Sequence, residues 1–173
     1  MNSTIENRDK TLATLIHLSV FSQFIIPFGN FIFPVILWST RRKNSFIDYH
    51  GKSALNFQIS IFLYSIILAC AAISTFIILA ATNSETILID EDNFGIQEFS
   101  EVIPFMITAV ITGIIFLGLF ILEIFTVISA SLKAGEGEFY EYPFTINFLG
   151  LKKPETASPN ETEAIPPQEK EEV

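Results

Sequence analysis

The sequence predicts an all-α, polytopic integral membrane protein. Four hydrophobic helical segments are expected: a short N-terminal helical hairpin and two long transmembrane helices, with both termini cytoplasmic. Two observations carry that class. Thr11 to Thr40 and Ser53 to Ser84 contain no Asp, Glu, Lys or Arg, and Val102 to Leu132 contains a single charge, Glu123. An apolar run of about 18 or more residues is long enough to cross a bilayer as a helix. Between the first two runs lies a charged island, Arg41 to Lys52, which holds four of the chain's ten Lys and Arg residues. Basic segments of this kind stay on the cytoplasmic side and orient their neighbours.

Composition agrees. Half of the 173 residues are hydrophobic and only 17% are charged, below the roughly 25% of soluble domains, and the mean hydropathy is +0.46. The net charge of −9 is unevenly spread: Asn83–Glu101 carries six acidic residues and no basic ones, and Pro154–Val173 carries six Glu against one Lys. The remainder is therefore slightly basic, with no basic face for nucleic acid. One cysteine, Cys70, excludes an intrachain disulfide or a multi-cysteine metal site, and it reads as a small apolar filler. Arg8 and Lys10 before an apolar run imitate a signal peptide. The absence of a small-x-small cleavage site there argues for an uncleaved membrane segment.

Taken in order, residues 1–10 are a polar N-terminus and 11–149 the membrane domain. The first helix is expected over 11–28, ended by Pro27, Gly29 and Asn30. Residues 31–40, interrupted by Pro34, cover only about 15 Å at 1.5 Å per residue, half of a ~30 Å hydrocarbon core. They form either the return arm of a re-entrant hairpin or a tilted helix completed by snorkelling Arg41 and Arg42. Residues 41–52 are expected as a basic cytoplasmic loop, with Phe46 and Tyr49 at headgroup level. A transmembrane helix follows over 53–82, whose outer half holds Ser65, Ala69, Cys70, Ala71, Ala72 and Ser74, either small residues that let another helix approach or ordinary variation in a spanning helix.

Residues 83–101 form an acidic external loop. Asp90, Asp92, Gly95, Glu98 and Glu101 fall at calcium-loop positions one, three, six, nine and twelve, but Phe94 and Gln97 occupy positions five and eight. The match is degraded enough to favour a plain solvated loop. The last transmembrane helix runs over 102–132, followed by an aromatic interfacial segment over 133–149 and an acidic disordered tail over 150–173. Asn160-Glu161-Thr162 imitates a glycosylation acceptor in a segment expected in the cytoplasm, and is discarded.

Four runs carry a family resemblance: His17-Leu18-Ser19, Pro27-Phe28-Gly29-Asn30, the stretch from Asp48 through His50-Gly51-Lys52-Ser53-Ala54-Leu55-Asn56-Phe57-Gln58, and Gly137 to Ile146. In that order the chain resembles the small bacterial membrane proteins of domain-of-unknown-function family 4870, distantly similar to the Tic-type import-channel subunit of the chloroplast inner envelope. The resemblance covers Lys10 to Leu149 and implies a helical membrane domain without an assigned activity. Glu141 departs from it, standing where a basic residue is common.

Glu123 is the sharpest candidate residue. It lies about 15 Å before Lys133, near the midplane, where a charge costs ~2.5–3.5 kcal/mol on insertion scales. His17, Gln58 and Asn56 sit on the same inner half, and a Glu123 contact to His17 or Gln58 across helices is geometrically open. Such a carboxylate either lines a proton or cation path or fixes packing, and a single isolated one favours packing. His50, Asp48 and Lys52 are expected as a cytoplasmic polar cap. Phosphate-loop, zinc-protease and nucleophile-elbow motifs are missing from the sequence, so no enzyme activity and no cofactor are expected. The reading is a non-enzymatic structural or accessory protein of the cell inner membrane. Its partners are the lipid bilayer and a second copy or other membrane proteins, without nucleic acid. The alternative is a subunit of an oligomeric channel or transporter.

Overall fold

The computed structural model describes residues 5–82 and 99–152. Among these the chain is all-helical, without strands: α1 (Asn7–Leu18), a 3-10 turn (Ser19–Phe24), α2 (Gly29–Thr40), α3 (Ser45–Thr82) and α4 (Phe99–Glu136). An irregular strap follows from 138 to 152. Most of the acidic loop with its calcium-like spacing, the first four residues, and the tail with its glycosylation-like triplet lie outside the described residues.

Local chemistry sets the element ends. The α1–α2 corner closes through Phe28 in the left-handed region (φ 61°) and through Gly29, where a Cβ would lie 2.6 Å from Ser22 Oγ. Only a glycine admits so close an approach. Asn44 caps α3, its Oδ1 accepting from the N–H groups of Phe46 (2.9 Å) and Ile47 (3.2 Å). The basic island is thus a link of only four residues, and 45–52 is the first two turns of α3 rather than a loop. At the other end, Gly137 (φ 88°) stops α4: the Glu138 N–H bonds Lys133 O and the Gly137 N–H bonds Ala134 O, a Schellman arrangement. The last helix is accordingly longer than 102–132, and the first is shorter than 11–28, because the chain tightens to 3-10 at Ser19.

The inner half of α3 is the hub. From Phe46 to Ser60 almost every side chain is buried, because α1, α2, α4 and the strap surround it. Phe46 and Tyr49, expected at the headgroups, are in this core at 4% and 2% exposure. On α4 the buried set Glu123, Thr126, Val127, Ala130, Ser131 and Ala134 marks one face of its last turns. It meets Ala13 of α1 closely enough for Thr14 Oγ1 to reach Ser131 O at 3.2 Å.

The outer halves of α3 and α4 contrast with this. They expose Ile67, Ile73, Ile77 and Ile78 on one helix and Val110, Ile114 and Leu117 on the other. Contacts between the two include Phe76 against Phe105, with ring centroids 5.7 Å apart. Both helices are long and apolar enough to cross a membrane, and their most apolar windows are wholly unburied. Each is about 57 Å long at 1.5 Å per residue, well beyond a ~30 Å hydrocarbon core. The hairpin reaches only partway along them. Asn30 at its tip bonds Gln58, and Phe31 meets Phe62 at 6.0 Å.

Candidate functional site

The buried polar groups collect where α1, α3, α4 and the strap meet. His17 on α1 and His50 on α3 are both fully buried, and His17 Nε2 lies 2.8 Å from His50 Nδ1. On its other side, His17 Nδ1 lies 2.8 Å from the Tyr142 hydroxyl, which comes from the strap. Burial, then the neighbouring Tyr140 and Glu123, push the Tyr142 phenol well above its ordinary range, so it keeps its proton. That proton has an acceptor in His17 Nδ1. With two neutral rings, His17 then donates from Nε2 to His50 Nδ1, and each gap holds one proton. His50 Nε2 ends the chain beside the Glu138 backbone, without a hydrogen bond of normal geometry.

Aromatic rings seal this chain. His50 packs against Phe46 (4.4 Å), Tyr49 (5.5 Å) and Phe139 (6.0 Å), while Tyr142 stacks on Phe57 at 4.3 Å. At the next position after His50, Gly51 makes room for Trp38 of α2: a Cβ at position 51 would lie 2.3 Å from the indole Cδ1. The indole N–H in turn donates to Asp48 Oδ1 at 3.0 Å, and Asp48 pairs with Lys52 at 2.6 Å. Of the expected cap, Asp48 and Lys52 come together at the rim, whereas His50 turns inward to His17.

Glu123 does not meet His17 or Gln58. Its Oε1 accepts from Gln23 Nε2 at 2.9 Å, with only 6% of the residue exposed. Gln58 instead accepts from Asn30 Nδ2 at 2.8 Å, leaving its own Nε2 buried without a partner. Asn56 faces the strap. Its Oδ1 accepts from the N–H groups of Phe148 (3.1 Å) and Leu149 (3.0 Å), and its Nδ2 donates to Asn147 Oδ1.

The strap itself is held by a stripe on α3. Tyr49 and Ser53 donate to Tyr140 O, Tyr64 donates to Phe144 O at 2.8 Å, and Ser60 Oγ accepts from the Ile146 N–H at 2.9 Å. With Asn56 these residues recur every three or four positions, one face of a helix. Irregular backbone has no ladder of its own to satisfy its polar groups, and this stripe does so for five groups of the strap. A second tie, at the basic end, is the buried Asp9, which binds Arg41 and accepts from Asn44 Nδ2 at 2.7 Å.

Tyr142, Gln23 and Asp9 are not singled out by the sequence, and Asn30 reads there only as a turn-former. The spacing of the polar stripe on α3 is the signal that would have found it; its partners carry none, since they lie 80 to 93 positions away. Among the described residues no group of three His, Cys, Asp or Glu side chains is placed to hold a metal ion.

A sequence-family model described as the magnetosome magnetite crystal formation protein family matches residues 8–149. No curated protein and no solved structure matches the chain. The match replaces the resemblance to family 4870 and to the Tic-type subunit, and there is a physical reason why those runs misled. His17, Gly29, His50, Gly51, Asn56 and Gln58 close the hairpin and pin helices together, so they describe a way of packing and not a family-specific activity. By a match over most of its length, the chain belongs to the magnetosome magnetite crystal formation protein family.

Proposed function

We propose that this protein is a non-enzymatic accessory of the membrane at which the magnetite of its family forms. In this reading α3 and α4 both cross the bilayer, the Arg41–Lys52 region and both termini are cytoplasmic, and the acidic stretch between the two spans faces the opposite compartment. One observation supports it above others: the buried polar side chains are engaged in pinning elements together. Glu123 holds Gln23, Gln58 holds Asn30, and Tyr142 holds the histidine pair. Groups used in this way fix shape rather than line a path, and charged groups kept inside a membrane domain need such partners.

Substitution of Glu123 tests the reading. Glu123→Gln keeps the shape and a hydrogen bond to Gln23, so folding in detergent should be close to that of the unaltered protein. Glu123→Leu strands the Gln23 amide and should cost on the order of 0.6 kcal/mol, the mean for membrane hydrogen bonds in double-mutant cycles. Neither variant should change ion flux in reconstituted vesicles, because none is expected from the parent. In a magnetite-forming bacterium lacking its own family member, the parent and Glu123→Gln should both restore magnetite crystal formation. Flux in the parent that disappears in a well-folded Glu123→Gln would replace the accessory role with a transport role.

A further inference from the structure

We infer that the protein is a membrane wedge, wider in the leaflet next to Arg41–Lys52 than in the opposite one, and that it favours membranes whose basic-end leaflet is convex. The inference rests on the reading of α3 and α4 as spanning helices and goes beyond the accessory role. Near the basic end five pieces of chain lie side by side: α1, α2, α3, α4 and the strap. The hairpin reaches Gln58, Phe62 and, through Phe24, Phe120 of α4, and the strap reaches Tyr64, about 9–18 Å above Lys52 on α3 and about 20 Å above Lys133 on α4 at 1.5 Å per residue, so just past the middle of a ~30 Å core and short of its far side. Beyond that level the described structure contains α3 and α4 alone. With helices about 10 Å across, the cross-section falls roughly twofold between the two leaflets.

What covers the hairpin is lipid. Its tip exposes Phe24, Ile25, Ile26 and Phe28, at 60%, 84%, 44% and 62%, and nothing from Thr11 to Thr40 carries a full charge. The strap's own tip, Phe144, is 76% exposed. An apolar patch of this extent belongs in hydrocarbon or in an interface. At the open end of the hairpin stand Arg8, Arg41, Arg42 and Lys43, with the Arg42 guanidinium over the Trp38 ring at 4.9 Å. An aromatic and basic rim of this kind sits at headgroup level, which puts the hairpin behind it in the acyl region of one leaflet. Material added to one leaflet only is accommodated by bending that leaflet outward.

The test uses the full-length protein carrying Cys70→Ser and Ser45→Cys, at an exposed position beside the α3 cap, reconstituted into phosphatidylcholine vesicles of mixed diameter. A membrane-impermeant dye sorts molecules by whether residue 45 faces out or in. Density of the outward-facing molecules should rise several-fold from the largest to the smallest vesicles, and that of inward-facing molecules should not. Adding Ile25→Lys and Phe28→Lys, both at exposed positions without a buried role, should preserve helicity by circular dichroism and abolish the rise. Density independent of diameter in both orientations overturns the wedge, as does a rise that survives the lysines. Protein released from the vesicles by alkaline carbonate fails the spanning reading as well, whereas inserted but unsorted protein fails the wedge alone.

Discussion

At the scale of single residues, small changes of atom count decide whether the core closes. Tyr142→Phe removes one oxygen and leaves His17 Nδ1 buried with no donor at 2.8 Å. An unsatisfied buried group costs about 1–3 kcal/mol, so thermal unfolding in detergent should move to lower temperature by a corresponding amount. Combining it with His17→Leu, which removes the group that was stranded, should cost clearly less than the sum of the two single changes. An additive result would show that the hydroxyl acts through its packing on Phe57 instead. Gly51→Ala is the complementary case of one atom too many. Its Cβ would stand 2.3 Å from Trp38 Cγ and Cδ1 and 2.8 Å from Trp38 Cβ, so the whole α2 side chain must move. Overpacking of this sort costs about 1–3 kcal/mol. Because Trp38 is the one tryptophan, its emission should report the shift directly, and an unchanged spectrum with unchanged stability would mean that α2 slides away freely.

At the scale of elements, the strap is where side-chain chemistry substitutes for secondary structure. Asn56 offers one oxygen to two strap N–H groups and one amide to Asn147. Asn56→Asp keeps the acceptor and should hold the strap's amides against hydrogen exchange, while Asn56→Leu should expose Phe148 and Leu149 to exchange and leave α1 to α4 protected. Equal protection in both variants would show that apolar contacts alone seat the strap. This division also explains which elements the sequence disclosed. Long uncharged runs mark helices because the signal is local and each residue of α3 or α4 contributes to it. The strap's course is set instead by five scattered polar residues on α3 and by Tyr142, whose partners are separated from them by 80 to 125 positions. The same limit hid the Gln23 partner of Glu123: the carboxylate stood out as the one charge in its run, but nothing local says which amide crosses to it. Basic residues were read as loop because charge ends an apolar run, yet Asn44 starts a helix among them.

At the scale of the whole molecule, orientation follows from where charge lies relative to the two long helices. Arg41, Arg42, Lys43 and Lys52 stand at one end of α3, and Lys133 stands near the matching end of α4. The stretch that joins the opposite ends holds no Lys or Arg. Lys and Arg resist translocation, and Asp and Glu contribute little to the choice, so in the proposed two-span reading the basic end is the cytoplasmic one even though the chain is acidic overall. The hairpin cannot invert this, because its two ends are tied at the same level by Asp9, which binds Arg41 and Asn44. In a Cys70→Ser background, a cysteine at Ser45 or Ala157 should therefore react with an impermeant reagent only after permeabilisation, and one at Asn93 should react in intact cells when the protein is in the cell membrane. A fourth site separates the two forms of the hairpin: a cysteine at Ile25 should resist the reagent from either side if the tip ends within the acyl region, and should react from outside if the hairpin crosses completely. Reaction at Ile25 together with Asn93 would give four full spans and remove the asymmetry between leaflets. Protection at Ile25 with reaction at Asn93 leaves α3 and α4 alone in the outer leaflet.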